Sequence, residues 1–198
     1  LYSSFFAWSL LWVNSVSGSV PGSISSPAEL SNLMLWLDAG NVDETNNSTF
    51  SDGDSLSTWK DLSDNGNDLS HAIGNIPTVD KTNQKIIFNY GSLKTTQSTS
   101  ISAGPQSYIA VVRNRSSGSA HNGIHGVVTH NGFAGIYATH QFFIVDGSGA
   151  SEDYSANTST APDQWSVLVG LYSENRTRGT KIFMNGELAE EYTANGVN

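Results

Sequence analysis

The loop between residues 61 and 68 carries the densest set of side chains that could bind a ligand. The segment reads DLSDNGND, so carboxylates, amides and a hydroxyl surround one glycine. Hard cations such as Ca²⁺ take about six to eight oxygen ligands, and a glycine allows the sharp turn that brings them together. The pattern therefore predicts a calcium site. Its protein ligands would be Asp61, Asp64, Asn65, Asn67 and Asp68.

The same loop has a second interpretation that needs no metal. Its spacing is not that of an EF-hand. Asp, Asn and Ser side chains also form turns in which they accept hydrogen bonds from nearby backbone amides. The sequence favours this structural turn over calcium, and both interpretations stay open. Asp52 and Asp54 form a second acidic turn that could complete either arrangement.

Paired carboxylates would indicate a glycosidase. Retaining glycosidases hold two carboxyl groups about 5 to 5.5 Å apart, which alternate residues of one strand can do. The nearest acidic cluster lies at Glu187, Glu190 and Glu191, where the first two fall on opposite faces of a strand. We interpret this cluster as a solvated edge. The chain also lacks cysteine and a Gly-x-Ser-x-Gly motif, so we predict that it is not an enzyme.

Composition limits the partners. The chain of 198 residues has 9 Lys and Arg against 18 Asp and Glu, a formal net charge of -9. Nucleic-acid binding draws its affinity from clustered cations, so we exclude that partner. The acidic balance predicts a neutral or cationic glycan surface as partner. The longest apolar run, 5–13, is too short for a membrane-spanning helix, so we predict no membrane span.

Strand patterns recur along the chain with turn residues between them, and no segment shows a helical period. Asn185-Gly186 is the strongest hairpin pattern, because both residues tolerate a positive φ. Alternation along the strands predicts a core that contains Leu35, Leu37, Ile87, Val111, Val169 and Ile182.

Four motifs give the chain a family resemblance. LWLDA at 35–39 is followed by W-x-DLS-x-NGN at 59–67, and W-x-x-L-V-G-x-Y at 165–172 precedes I-F-x-N-G at 182–186. This combination of motifs resembles the concanavalin A-like lectin/glucanase superfamily, specifically its laminin-G-like modules. The resemblance implies an all-β, two-sheet antiparallel jelly-roll sandwich in a secreted or cell-surface protein. Such modules usually add a strand after this hairpin, so we expect a chain truncated at its C-terminus.

The N-terminal segment predicts export. The apolar run 5–13 gives way to small residues, which is typical of a signal peptide at residues 1–18. The alternatives are a buried strand and an engineered remnant. Residues 19–29 are rich in Ser, Pro and Gly and predict a linker, so the domain would occupy residues 30–198. Further domains of the same polypeptide are expected.

Ligand binding on this fold commonly uses an aromatic platform with Asp or Asn beside it. By residue type we predict ligand contacts from Tyr137, Phe142, Asp146 and Tyr154, although sandwich aromatics also serve as core. The expected function is a non-catalytic carbohydrate-binding or adhesion module whose partner is a glycan or a cell-surface or matrix protein. The alternatives are a structural spacer without a small-molecule ligand and, less favoured, a glycosidase-like domain.

Overall fold

The computed structural model describes residues 5–14, 26–30, 32–89, 91–95, 106–114, 123–124, 128–129, 132–137, 141–146, 154–156, 164–172 and 180–192. These residues form sixteen strands and one 3-10 helix, Pro27–Glu29. The strands are β1 (Phe5–Asn14), β2 (Leu33–Asp38), β3 (Thr58–Trp59), β4 (Leu69–Gly74), β5 (Thr78–Asp80), β6 (Lys85–Phe88), β7 (Gly91–Thr95), β8 (Gln106–Asn114), β9 (Gly123–Ile124), β10 (Val128–Thr129), β11 (Gly132–Tyr137), β12 (Gln141–Asp146), β13 (Tyr154–Ala156), β14 (Trp165–Tyr172), β15 (Thr180–Met184) and β16 (Glu187–Tyr192).

Among the described residues the strands form three antiparallel sheets. The long sheet has the order β16-β15-β14-β8-β1-β6-β5, with β2 also pairing to β1. A second sheet contains β9 to β13, and a third has the order β3-β4-β7. The all-β prediction is confirmed, and the antiparallel sheets are consistent with a sandwich. The jelly-roll connectivity stays a prediction.

The N-terminal apolar run lies inside the long sheet. Residues Phe5 to Asn14 pair with β8 on one side, and on the other with β2 and with β6. The segment is thus a paired inner strand of the described sheet. Whether the segment is also removed as a signal peptide stays a prediction. Of the predicted linker, residues 26–29 contribute Ser26 and the 3-10 helix, and residues 19–25 lie outside the described residues.

The core lies on one face of the long sheet. Leu33, Leu35 and Leu37 are buried, while the residues between them are partly exposed, as the period of two in a strand requires. Trp59 of β3 is 2% exposed and belongs to the same buried cluster, and Leu69 of β4 packs against it. The three-stranded sheet therefore covers this face of the long sheet. Full burial of each large apolar side chain contributes about 1.5–3 kcal/mol to folding.

The predicted core is half right. Leu35, Leu37 and Ile182 are each 1% exposed, which confirms them. Ile87, Val111 and Val169 are wrong as core residues, since they are only partly buried. Their chain neighbours Ile86, Val112 and Leu168 are buried instead. These strands are apolar at both parities, so alternation could not identify which face meets the core.

The predicted hairpin is confirmed. Asn185 and Gly186 have φ angles of 53° and 86°, and Met184 pairs with Glu187 across the turn. Two successive positive φ angles are those of a type I′ turn, whose twist matches the strands that it joins.

Within the described residues no helix is long and apolar enough to cross a membrane.

Candidate functional site

The loop after Trp59 is held against β2 by one buried carboxylate. Asp61 is 4% exposed. Its Oδ1 accepts hydrogen bonds from the backbone amides of Trp36 and Ser63, both at 3.0 Å. Its Oδ2 accepts from Ser63 Oγ at 2.8 Å and from the Asn67 amide at 2.9 Å. Four donors thus surround the two oxygens, so the carboxylate has little remaining capacity for a ligand.

Two amide side chains complete the attachment to β2. Asn65 Nδ2 donates to the carbonyl of Leu33 at 2.7 Å, and Asn67 Nδ2 donates to that of Met34 at 2.7 Å. The backbone amide of Leu62 donates to the carbonyl of Trp36 at 2.8 Å. Among the described strands β2 pairs with β1, and these bonds give carbonyls of β2 donors from the loop. The loop therefore replaces a neighbouring strand.

Asp68, the last of the predicted metal ligands, is paired with a lysine of the same chain. Asp68 Oδ2 lies 2.6 Å from Lys60 Nζ, and its Oδ1 accepts from the Asp61 amide at 3.0 Å. Partial burial raises the pKa of Asp68, but the hydrogen bonds from Lys60 and Asp61 outweigh it and hold that pKa below its ordinary value. Asp68 is thus an anion paired within the fold.

The loop has the hydrogen bonds of the Asx-rich turn. Asp64 is exposed, with a φ of 65°, whereas Asp61 and Asn67 are buried and turned toward β2. Across the part of the chain that the structure describes, no three His, Asp or Glu side chains come together as a group that could hold a metal ion. Calcium binding stays a prediction, and the geometry assigns the loop a structural role.

A second structural turn, at 38–50, was missed by sequence reasoning. Asn47 is 1% exposed, and its Oδ1 accepts from the Val42 amide at 2.6 Å while its Nδ2 donates to the Ala39 carbonyl at 2.8 Å. Asp43 Oδ1 accepts from the amides of Thr45 and Asn47, both at 2.9 Å. The density of Asp, Asn and Thr at 43–49 is the pattern that could have identified it.

A cleft lies on the long sheet among the described residues. Its volume is about 410 Å³, and its described lining residues are Asn83, Lys85, Val111, Arg113 and Trp165. Trp165 is 40% exposed. The cleft thus combines an aromatic surface, two cations and an amide. Sequence reasoning missed it because its residues come from three separate parts of the chain.

Strand register builds this cleft. Trp165, the first residue of β14, pairs directly with Arg113 of β8, and Val111 lies two residues away on the same face. Directly paired residues in an antiparallel sheet have Cβ atoms about 4.5–5.5 Å apart, so the two side chains leave the sheet side by side on one face. Lys85 begins β6, which β1 separates from β8. The cleft therefore crosses the sheet rather than following one strand.

Asp80 orients the polar side of the cleft. Its Oδ2 lies 2.9 Å from Lys85 Nζ, and Asn83 Nδ2 donates to its two oxygens at 2.9 and 3.1 Å. Partial burial raises the pKa of Asp80, but the hydrogen bonds from Lys85 and Asn83 outweigh it and hold the pKa below its ordinary value. Asp80 itself is not among the described lining residues.

The predicted ligand-binding residues all lie in the second sheet. Tyr154 pairs with Ile144, which lies between Phe142 and Asp146 on β12. The register therefore places Tyr154, Phe142 and Asp146 on the same face of this sheet. Tyr137 pairs with Gln141 and has the other parity. The backbone register therefore groups three of the four predicted positions and separates Tyr137. Their role in binding stays a prediction.

Comparison of the chain with protein-family models, with curated proteins and with solved structures finds no match. The laminin-G-like resemblance therefore stays a prediction, and the function is argued from the chain's own geometry.

Proposed function

We propose that this chain is a non-catalytic carbohydrate-binding or adhesion module of a larger secreted or cell-surface protein. The cleft at Trp165 carries the proposal. The apolar face of a sugar ring packs on an indole, while its hydroxyls require donors and acceptors around the rim. Trp165 offers the platform, and Arg113, Lys85 and Asn83 offer the polar groups.

The charges of the cleft support binding without catalysis. Glycoside hydrolysis needs two carboxyl groups beside the scissile bond. None of the described residues that line the cleft carries a carboxylate. In the acidic hairpin, Glu191 Oε1 is paired to Lys181 Nζ at 3.1 Å, two strands away from β14. The sequence patterns of exported modules support the proposed location, and a glycan or a matrix protein is the proposed partner.

A structural spacer is the rival function, and the loop at 61–68 favours it. Its buried side-chain oxygens accept hydrogen bonds from the fold itself, so this ligand-like sequence is used for architecture. A spacer needs no exposed aromatic platform, however. Trp165 therefore separates the two functions.

A glycan array tests the proposal with the full chain and two variants. We expect the wild-type chain and Leu188→Ala to bind the same glycans, because Leu188 is 51% exposed on β16 and is not among the described residues that line the cleft. Trp165→Ala should bind these glycans about tenfold or more weakly. The variant loses both the aromatic face on which a sugar ring packs and the apolar area that this contact buries. If the wild-type chain binds no glycan on the array, the spacer function is favoured. Release of reducing ends from laminarin or mixed-linkage glucan would contradict the absence of catalysis.

A further inference from the structure

Two N-glycosylation sequons overlap in the turn at 38–50. We propose that Asn46 accepts an N-linked glycan when the chain is exported through a eukaryotic secretory pathway, and that Asn47 does not. Ser48 follows Asn46 by two residues and completes one sequon, N-x-S/T. Thr49 follows Asn47 in the same way and completes the next. The proposal rests on the export that belongs to the proposed function and is independent of sugar binding at the cleft.

Asn46 has the surface position that a glycan requires. An N-linked glycan is bulky and hydrophilic, so its asparagine must lie where the sugar can extend into water. Asn46 and Ser48 are both exposed. The backbone amide of Asn46 donates to Asn41 Oδ1 at 2.7 Å, and its φ of 56° is one that asparagine tolerates. The turn therefore holds Asn46 through its main chain at the surface.

Asn47 has the opposite environment, because its side-chain amide is part of the fold. It is 1% exposed, and its Oδ1 accepts from the Val42 amide at 2.6 Å. Its Nδ2 donates to the carbonyl of Ala39 at 2.8 Å. A sugar on this nitrogen would have to leave the interior and take the amide with it. Val42 and Ala39 are each 0% exposed, so their backbone groups would then lose partners at a buried site.

The chemistry of the transfer explains why folding selects between the two sites. The donor is an oligosaccharide joined to a lipid through a diphosphate, and the transferase of the pathway supplies the base. A bond forms between the asparagine Nδ2 and the anomeric carbon, the bond from that carbon to the diphosphate oxygen breaks, and the lipid diphosphate leaves with the electron pair. The amide proton goes to the base. Because transfer can precede folding, a chain modified on Asn47 is expected among the molecules that fail to fold.

Expression of the full chain behind a cleavable leader in eukaryotic secretory cells tests the proposal. Protein from medium and cells is separated into folded monomer and aggregate by size-exclusion chromatography. Peptide N-glycosidase converts each glycosylated asparagine to aspartate, so the masses of peptide fragments across 45–50 place the glycan. We expect the folded monomer to carry a glycan on Asn46 and none on Asn47. Lack of a glycan on Asn46 would overturn the proposal, as would a glycan on Asn47 in the folded monomer.

Two variants remove one sequon each without changing either asparagine. Ser48→Ala leaves only the sequon of Asn47, and its folded monomer should carry no glycan across 45–50. Thr49→Ala leaves only the sequon of Asn46 and should keep the glycan there; it also loses a hydrogen bond to Asp43, so both fractions are analysed. A folded Ser48→Ala monomer with a glycan on Asn47 would overturn the selection by folding. A chain glycosylated on Asn46 that binds no sugar on the array would contradict the proposed function alone.

Discussion

Asp61 shows how a single carboxylate organises a loop through its hydrogen bonds. It is one of the buried polar residues of the described chain, and three of the four donors on its oxygens are backbone amides. Each of these amides would be costly to bury without a partner, because an unsatisfied buried donor costs about 1–3 kcal/mol. The carboxylate is therefore explained by the backbone groups that it satisfies.

Replacing Asp61 by Asn should destabilise the fold. The amide keeps the size of the side chain but presents N–H donors where backbone amides already donate, so at least one buried donor loses its acceptor. We expect the free energy of unfolding to fall by about 2–4 kcal/mol, measured by urea denaturation. Asp64→Asn is the control, since Asp64 is exposed and Asn also tolerates its φ of 65°. Equal stability of the two variants would show that the Asp61 bonds do not support the loop.

Calcium should leave the stability of the chain unchanged. A ligand that binds only the folded state raises stability by RT ln(1 + [L]/Kd), about 2.7 kcal/mol at a hundredfold excess. The oxygens of Asp61 and Asp68 already have donors at 2.6–3.0 Å, so coordination would have to displace them. We expect the same melting midpoint in millimolar calcium and in chelator. A higher midpoint in calcium, lost in Asp61→Asn, would instead support the metal site.

Residue types thus predicted which loop is rich in oxygen atoms but not where those atoms point. Direction depends on contacts between Asp61 and Trp36, 25 residues away in the chain. A list of side chains at 61–68 contains no information on whether β2 or a cation supplies the partners. The structural turn was foreseeable as one of two outcomes, and the contact with β2 supplies its hydrogen bonds, while calcium binding stays a prediction.

At the scale of elements, the positions of strands were predictable from the sequence, but the face of each strand that is buried was not. In β2 the buried positions Leu33, Leu35 and Leu37 share one parity, and the sequence predicted Leu35 and Leu37 as core residues. In β8, Val111 and Val112 are both apolar, yet only Val112 is buried among the core residues. The other parity supplies the floor of the cleft through Val111. A strand that is apolar on both faces can serve a core and a binding surface at once.

The turn at 38–50 makes a prediction for acid stability. Burial raises the pKa of Asp43, but the hydrogen bonds from Thr45, Thr49 and Asn47 outweigh it and hold the pKa well below its ordinary value. A carboxyl group whose pKa is lowered by folding stabilises the fold at pH above its unfolded pKa, about 3.9 for Asp. That contribution is lost as the pH falls toward the folded pKa. We therefore expect stability to decline from about pH 5 downward.

Asp43→Asn tests this assignment by urea denaturation at several pH values. The variant cannot ionise, so its stability should fall less steeply below pH 5 than that of the wild-type chain. Asp68 and Asp80 also have lowered pKa values and will keep part of the acid dependence. Glu44→Gln, an exposed neighbour in the same turn, is the control and should keep the wild-type slope. An unchanged slope in Asp43→Asn would show that this carboxyl does not couple folding to pH.

At the scale of the whole molecule, the cleft could not be predicted because it exists only after the sheet forms. Asn83 and Lys85, Val111 and Arg113, and Trp165 belong to three strand regions that register brings together. The net charge of -9 describes the chain as a whole, whereas the cleft gathers two of its few cations. Composition therefore describes the average charge of the chain and does not reveal which side chains the sheet brings together at one site.

The position of β1 makes the whole long sheet depend on the N-terminal segment. β1 pairs with β8 from Phe5 to Asn14, and it is the strand through which β2 and the β6-β5 pair join that sheet. Without it, the backbone groups of β8 and β6 that now face β1 would lose their hydrogen-bond partners. A chain that begins at residue 19 should therefore show no cooperative transition on heating. A chain that begins at Phe5 should melt at the same midpoint as the full chain. Circular dichroism during heating measures both. If the chain from residue 19 melts cooperatively at the midpoint of the full chain, then β1 is dispensable and the signal-peptide interpretation of residues 1–18 is the better one.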